Sequence, residues 1–168
     1  WVQYALGLSE FTLRHVDAAR AAFEAVRLAE PEFKGVYFDL ADAYLQLGRA
    51  GDALSVLRDA QRRWPEDAET HNAVGVVLVK RGALDDAVEA FTRATSTAPA
   101  EGLGYYNLGR VQHMRYLRWQ QTTPSTPSTK AMADRARTSA LEAYRRSVAI
   151  GGSFEKEARD AIATLDWK

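Results

Sequence analysis

The 168-residue sequence contains no cysteine, which excludes a disulfide framework, cysteine-ligated zinc, iron–sulfur clusters and thiol nucleophiles. Histidine is sparse, and His15, His71 and His113 stand far apart with no second metal ligand at a recognised spacing. Net charge is absent too, with Lys+Arg 22 against Asp+Glu 22, so nothing draws the whole chain toward nucleic acid or an anionic membrane. The longest apolar stretch, around Val74–Val79, falls far below the roughly 20 residues that a membrane helix needs. A phosphate-binding loop with Gly-Lys-Ser/Thr and a nucleophile elbow are both missing. Gly102-Leu-Gly104 begins like a dinucleotide loop but lacks the third glycine and a preceding strand. No enzyme activity and no cofactor are expected. The compartment is not fixed, with the cytoplasm as the default, and the opening at Trp1, inside a helical pattern and without Met, reads as a piece of something longer.

What the sequence has is repetition. Pro31, Pro65 and Pro99 are 34 residues apart, and Ala19, Ala53 and Ala87 keep the same period. So do Phe23, Leu57 and Phe91, and the pairs Leu6-Gly7, Leu40-Ala41, Val74-Gly75 and Leu108-Gly109 fall in register. Each period reads as two amphipathic helices. In the second, Tyr37, Leu40, Ala41 and Tyr44 occupy one face of a 3.6-residue helix. Gly48 then breaks the pattern, Ala53, Leu57 and Ala60 mark a second helix, and Pro65 stops it. Small residues let the paired helices approach, and the large ones fill the space between pairs.

These columns resemble the tetratricopeptide repeat, a 34-residue helix–turn–helix unit. The resemblance implies an all-α fold, a right-handed superhelical solenoid of antiparallel helix pairs. It places repeats at about 1–33, 34–67, 68–101 and 102–154, in a single domain. The fourth repeat matches at Tyr105, Leu108, Gly109, Ala140 and Tyr144, with 19 residues inserted between Gly109 and Ala140. After it, Ala158, Ile162 and Leu165 recur at helical spacing and predict a capping helix over 155–168. His71 takes the aromatic position of its repeat and reads as a packing residue.

The same resemblance implies that the first helix of each repeat lines a groove that receives a peptide or a partner helix. Carried over position by position, the lining is Tyr4, Leu8 and Phe11, then Phe38, Asp42 and Leu45. It continues with Asn72, Val76 and Val79, and then Tyr106, Arg110 and His113. Such a surface, mostly apolar and aromatic, suits an amphipathic helix or an extended apolar segment; the alternative is that part of it is core, or is covered by other segments of the same protein. One subfamily holds acidic chaperone tails with a Lys/Asn/Arg clamp. The matching positions here are Tyr4, Leu8, Asp39, Glu69 and Ala73, which cannot neutralise a carboxylate, so that role is disfavoured.

The inserted segment is the second distinctive feature. Tyr105–Gln120 continues as one overlong helix, Thr122–Thr129 interrupts it with two prolines and six hydroxyl residues, and helical character returns near Ala131. Two lengthened antiparallel helices form a finger, with the insertion near 113–133. Arg110, Arg115, Arg118, Lys130, Arg135 and Arg137 oppose only Asp134 there, with Tyr116 and Trp119 among them. A basic, aromatic finger suits an acidic partner, nucleic acid or a membrane surface, although a solvated helix pair whose aromatics pack on each other is the plainer account. Thr123 and Thr126, each followed by proline, have the form of proline-directed phosphorylation sites, a form that many flexible loops share. The expected function is a protein-binding scaffold with a partner of unknown identity. Self-association or packing on the rest of its own chain is the first alternative, and anionic contact through the finger the second.

Overall fold

The computed structural model describes residues 1–166 and is an all-α helical repeat. Among the described residues it holds nine helices and no strand. They are α1 (Val2–Thr12), α2 (Val16–Ala29), α3 (Gly35–Gln46), α4 (Ala50–Arg63) and α5 (Ala68–Lys80), followed by α6 (Leu84–Thr97), α7 (Gly102–Gln120), α8 (Pro127–Ile150) and α9 (Glu155–Asp166). Two compact units emerge, Trp1–Arg81 with α1–α5 and Gly82–Lys168 with α6–α9. The division falls inside the third repeat. None of these helices is long and apolar enough to cross a membrane.

Within each unit, paired helices close on a small residue. Ala19, Ala53, Ala87 and Ala140 are all fully buried, and Phe23, Leu57, Phe91 and Tyr144, four residues on, are buried beside them. Ala140 joins this series only when the 19 inserted residues are discounted, so its burial shows that the insertion leaves the pair beneath it in register. Opposite Phe23 and Tyr144 stand glycines. A Cβ on Gly7 would meet the Phe23 ring at 2.6 Å, and one on Gly109 would meet the Tyr144 ring at 2.7 Å. The second repeat makes the inverse choice at these columns, a larger Ala41 with a smaller Leu57, and both are buried. Burying each large side chain contributes about 1.5–3 kcal/mol. The first column is less uniform: Leu40 and Val74 are buried and Leu108 half-buried, whereas Leu6 is 46% exposed.

The turns inside pairs rest on one left-handed residue. Gly48 and Gly82 have φ of 71° and 75°, and Arg14, at the same register, has φ of 65°. The residue after Arg14 and after Gly48 closes the helix end: His15 N–H donates to the Glu10 carbonyl at 2.9 Å and Arg49 N–H to the Tyr44 carbonyl at 2.8 Å, the six-to-one bond of a Schellman ending. The corresponding column in the fourth repeat holds Tyr116, which is buried. With no glycine to turn the chain, α7 runs on to Gln120, and the finger follows.

Between pairs the prolines act. Helices α2, α4 and α6 end two residues before Pro31, Pro65 and Pro99, where the residue preceding proline is pushed out of the helical region. The prolines' own carbonyls find partners: Tyr37 Oη donates to Pro31 O at 2.9 Å. His71 Nε2 donates to Pro65 O at 2.7 Å and its Nδ1 accepts from Gln61 Nε2 at 2.8 Å. His71 is thus a buried structural residue that does for its repeat what Tyr37 does one period earlier.

Helix α8 starts at Pro127, four residues before the expected return near Ala131. Thr126 is its N-cap in a capping box: Thr129 N–H donates to Thr126 Oγ1 at 3.1 Å, and Thr126 N–H to Thr129 Oγ1 at 2.8 Å. Pro127 sits in the first turn, where its missing N–H is no loss. The proline-rich run therefore starts a helix as much as it interrupts one. Helix α9 lies on α8 through buried Ala158 and Leu165, with Ile162 packed alongside. Trp167 and Lys168, within the expected capping helix, fall outside the described residues.

Two outcomes follow for stability. Arg14→Gly is expected to raise it by about 0.5–1 kcal/mol in urea titrations, since a left-handed non-glycine residue costs about 1–2 kcal/mol and glycine's entropy offsets part of the gain. Gly109→Ala is expected to lower it by about 1–3 kcal/mol, because the added methyl drives into the Tyr144 ring.

Candidate functional site

Positions 4 and 8, then 38, 42 and 45, then 72, 76 and 79 recur at three- and four-residue steps, so each set occupies one face of its helix. The first helices of successive pairs are tied together in the first unit. Tyr4 Oη on α1 donates to Asp39 Oδ2 on α3 at 2.5 Å. Burial, with the hydrogen bond to Asp39 and its charge, pushes the Tyr4 phenol up to about 12. Lys34, at the start of α3, bonds Asp67 at 2.7 Å and pairs with Glu69 at 3.1 Å, and its ammonium lies 5.8 Å from the Phe38 ring centre. The hydrogen bond to Asp67 holds the Lys34 ammonium above its ordinary pKa.

On this scaffold Tyr4, Phe38, Leu45, Asn72, Val76 and Val79 are half-buried, while Leu8 and Asp42 are exposed. Asp42 makes no ion pair among the described residues. Its surface reaches solvent, yet surrounding protein and then the neighbouring Asp39 raise its carboxyl pKa, against a smaller opposing pull from Lys80. The arrangement is an apolar strip with a carboxylate in it.

The second unit treats its three predicted residues differently. Tyr106 is stacked on Phe154, with ring centres 4.7 Å apart and planes 12° from parallel. Arg110 is exposed and rests 5.7 Å from the Tyr106 ring centre. His113 is half-buried between the rings of Tyr116 and Tyr144, and burial lowers its pKa, which favours the neutral form. Phe154 was not singled out in the sequence, although its place directly after Gly151-Gly152-Ser153, at the entry to α9, is the kind of signal that marks a fold-back.

The finger residues divide as well. Arg118, Lys130 and Arg135 are exposed. Arg115 pairs with Asp85 at 2.9 Å and bonds Gln112 at 2.9 Å. Trp119 packs on the cluster formed by Tyr116, Ala133, Ala136 and Leu165. Arg137 donates from Nε to the Leu165 carbonyl at 2.8 Å, and from its guanidinium a second time, so it satisfies the end of α9. Of the finger residues Arg115, Arg118, Trp119, Lys130, Arg135 and Arg137, three are thus engaged within the chain. Thr126, one of the two candidate phosphorylation positions, has its hydroxyl in the cap of α8.

Comparison with known proteins accords with this architecture. The family model described as tetratricopeptide repeat matches residues 4–68 and again 38–102. Protein FlbA of Caulobacter vibrioides is 28% identical over 170 residues, covering 96% of this chain but 28% of FlbA, so the chain spans little more than a quarter of that relative. A crystal structure of MamA superposes with a TM-score of 0.73 at 21% identity, covering 98% of this chain and 79% of that one. YrrB, described as a TPR protein with an unusual peptide-binding site, gives 0.68 at 20% identity, covering 98% and 73%. The first TPR of Spaghetti (RPAP3), bound to an HSP90 peptide, gives 0.60 at 18% identity, covering 67% and 90%.

The division of the finger is testable. Arg137→Ala is expected to destabilise the chain by about 1 kcal/mol, through an orphaned helix-end carbonyl. Arg118→Ala and Arg135→Ala, both solvent-facing, should stay within about 0.5 kcal/mol of the parent. Denaturant midpoints of the three variants check this.

Proposed function

Because this chain belongs to the tetratricopeptide repeat family, whose members serve as protein-interaction scaffolds, we propose that it binds a peptide segment along the shared face of α1, α3 and α5. The observation that carries the proposal is the open strip of Tyr4, Leu8, Phe38, Leu45, Val76 and Val79, none of them buried by the fold. An apolar strip on a rigid helical frame supplies desolvation energy, and Asp42 supplies direction. The peptide-binding site named for YrrB and the peptide bound to the Spaghetti (RPAP3) repeat support the reading by analogy of fold. We assign no catalytic residue.

Tyr106, Arg110 and His113 form a second, smaller strip in the other unit. Tyr106 is already stacked on Phe154, so the first unit carries the greater weight. Arg118, Lys130 and Arg135 leave the finger an exposed basic surface for a separate, weaker contact.

The test uses peptides selected from a random display library on the chain. Phe38→Glu is expected to weaken a selected peptide roughly tenfold or more, with unchanged helicity by circular dichroism. Tyr106→Glu should cost less. Parent-level affinity in the folded Phe38→Glu variant would overturn the proposal.

A further inference from the structure

The charged groups among the apolar residues of the strip decide which segments it can accept. Four acidic side chains, Glu10, Asp39, Asp42 and Glu69, stand on α1, α3 and α5 against one basic one, Lys80. Three of the four already have partners. Glu10 bonds His15 at 2.8 Å, Asp39 accepts from the Tyr4 hydroxyl at 2.5 Å, and Glu69 pairs with Lys34 at 3.1 Å. Asp42 has neither an ion pair nor a side-chain hydrogen bond among the described residues.

Its setting differs from that of an ordinary surface carboxylate. Phe38 comes four residues before it and Leu45 three after, so both share its face of α3 within one turn, and both are half-buried. Surrounding protein and the charge of Asp39 disfavour its ionised form more than Lys80 favours it, and exposed Lys80 makes no ion pair with it. Helix α3 packs on α2 before it and on α4 after it, so this face belongs to the interior of the repeat series.

A segment that covers Phe38 and Leu45 also covers Asp42 and strips its remaining water. A carboxylate desolvated without a counter-charge carries a heavy penalty. An apolar side chain laid over it leaves it orphaned, and an acidic one adds to the repulsion from Asp39. A backbone N–H satisfies one lone pair and offsets neither charge. A guanidinium or ammonium answers the lone pairs and both negative charges together. We propose that the segment received by this strip carries a basic side chain, set among apolar residues and paired with Asp42. Arginine suits the place better than lysine, because its planar fork takes both carboxylate oxygens and sheds water more readily. The proposal rests on peptide binding along the strip and names the class of partner: a basic, apolar segment instead of an acidic tail or an anionic surface.

Two display libraries of short, mainly apolar peptides test it, alike except for a central position fixed as Arg in one and as Glu in the other. Selection on the chain should enrich the arginine library and not the glutamate library. For a selected peptide, replacing the central Arg by Gln should cost roughly tenfold in affinity against the parent chain, and less than about twofold against Asp42→Asn. Asp42 is exposed, so the isosteric Asn keeps the fold, which circular dichroism checks. Asp42→Lys should turn the preference toward the glutamate library. Phe38→Ala, which removes apolar contact without adding charge, should weaken every selected peptide. If it does, equal enrichment of the two libraries, or an Arg→Gln cost that is the same in parent and Asp42→Asn, would sink the basic partner while peptide binding along the strip stands. Selected peptides indifferent to Phe38→Ala would refute the strip itself, and enrichment of neither library would refute both.

Discussion

The separation between two paired helices governs everything else in this molecule. Ala19, Ala53 and Ala140 are fully buried where their helices pair, and a methyl added at Gly7 or Gly109 would stand 2.6 Å or 2.7 Å from an aromatic ring. Close approach fixes which faces are hidden, and so which side chains are left to meet a partner. The open strip of the first unit is therefore a by-product of packing: residues one turn away from the small columns have nowhere to be buried.

That logic explains what was legible from the residues alone. Period, pairing, breakpoints and the closing helix are all written in side-chain volume and in proline, because volume at a given register decides whether helices can touch. Leu6 departs from this, since it is exposed where Leu40 and Val74 of the same column are buried. The start of α8 was missed for another reason. Ser, Thr and Pro favour a flexible loop and a helix start alike, and the hydroxyl pairing of Thr126 with Thr129 decides between them.

The candidate surfaces were harder to read than the fold. Tyr106 and Arg137 look like free contact groups in a sequence, because the residues that engage them, Phe154 and Leu165, are distant in the chain. A periodic pattern reports what every repeat shares; contact chemistry concentrates where repeats differ.

The finger is one such difference. Tyr116 stands where two other repeats turn on glycine, and the chain keeps climbing until it finds another place to reverse. Since the outgoing and returning helices are antiparallel, length added to one is matched by the other, and the chain re-enters the pair where it left. The excursion is a closed one. Its reach can be lengthened or shortened by whole turns while Gly109 and Ala140 stay where they are, which makes it a telescoping arm on an otherwise fixed frame.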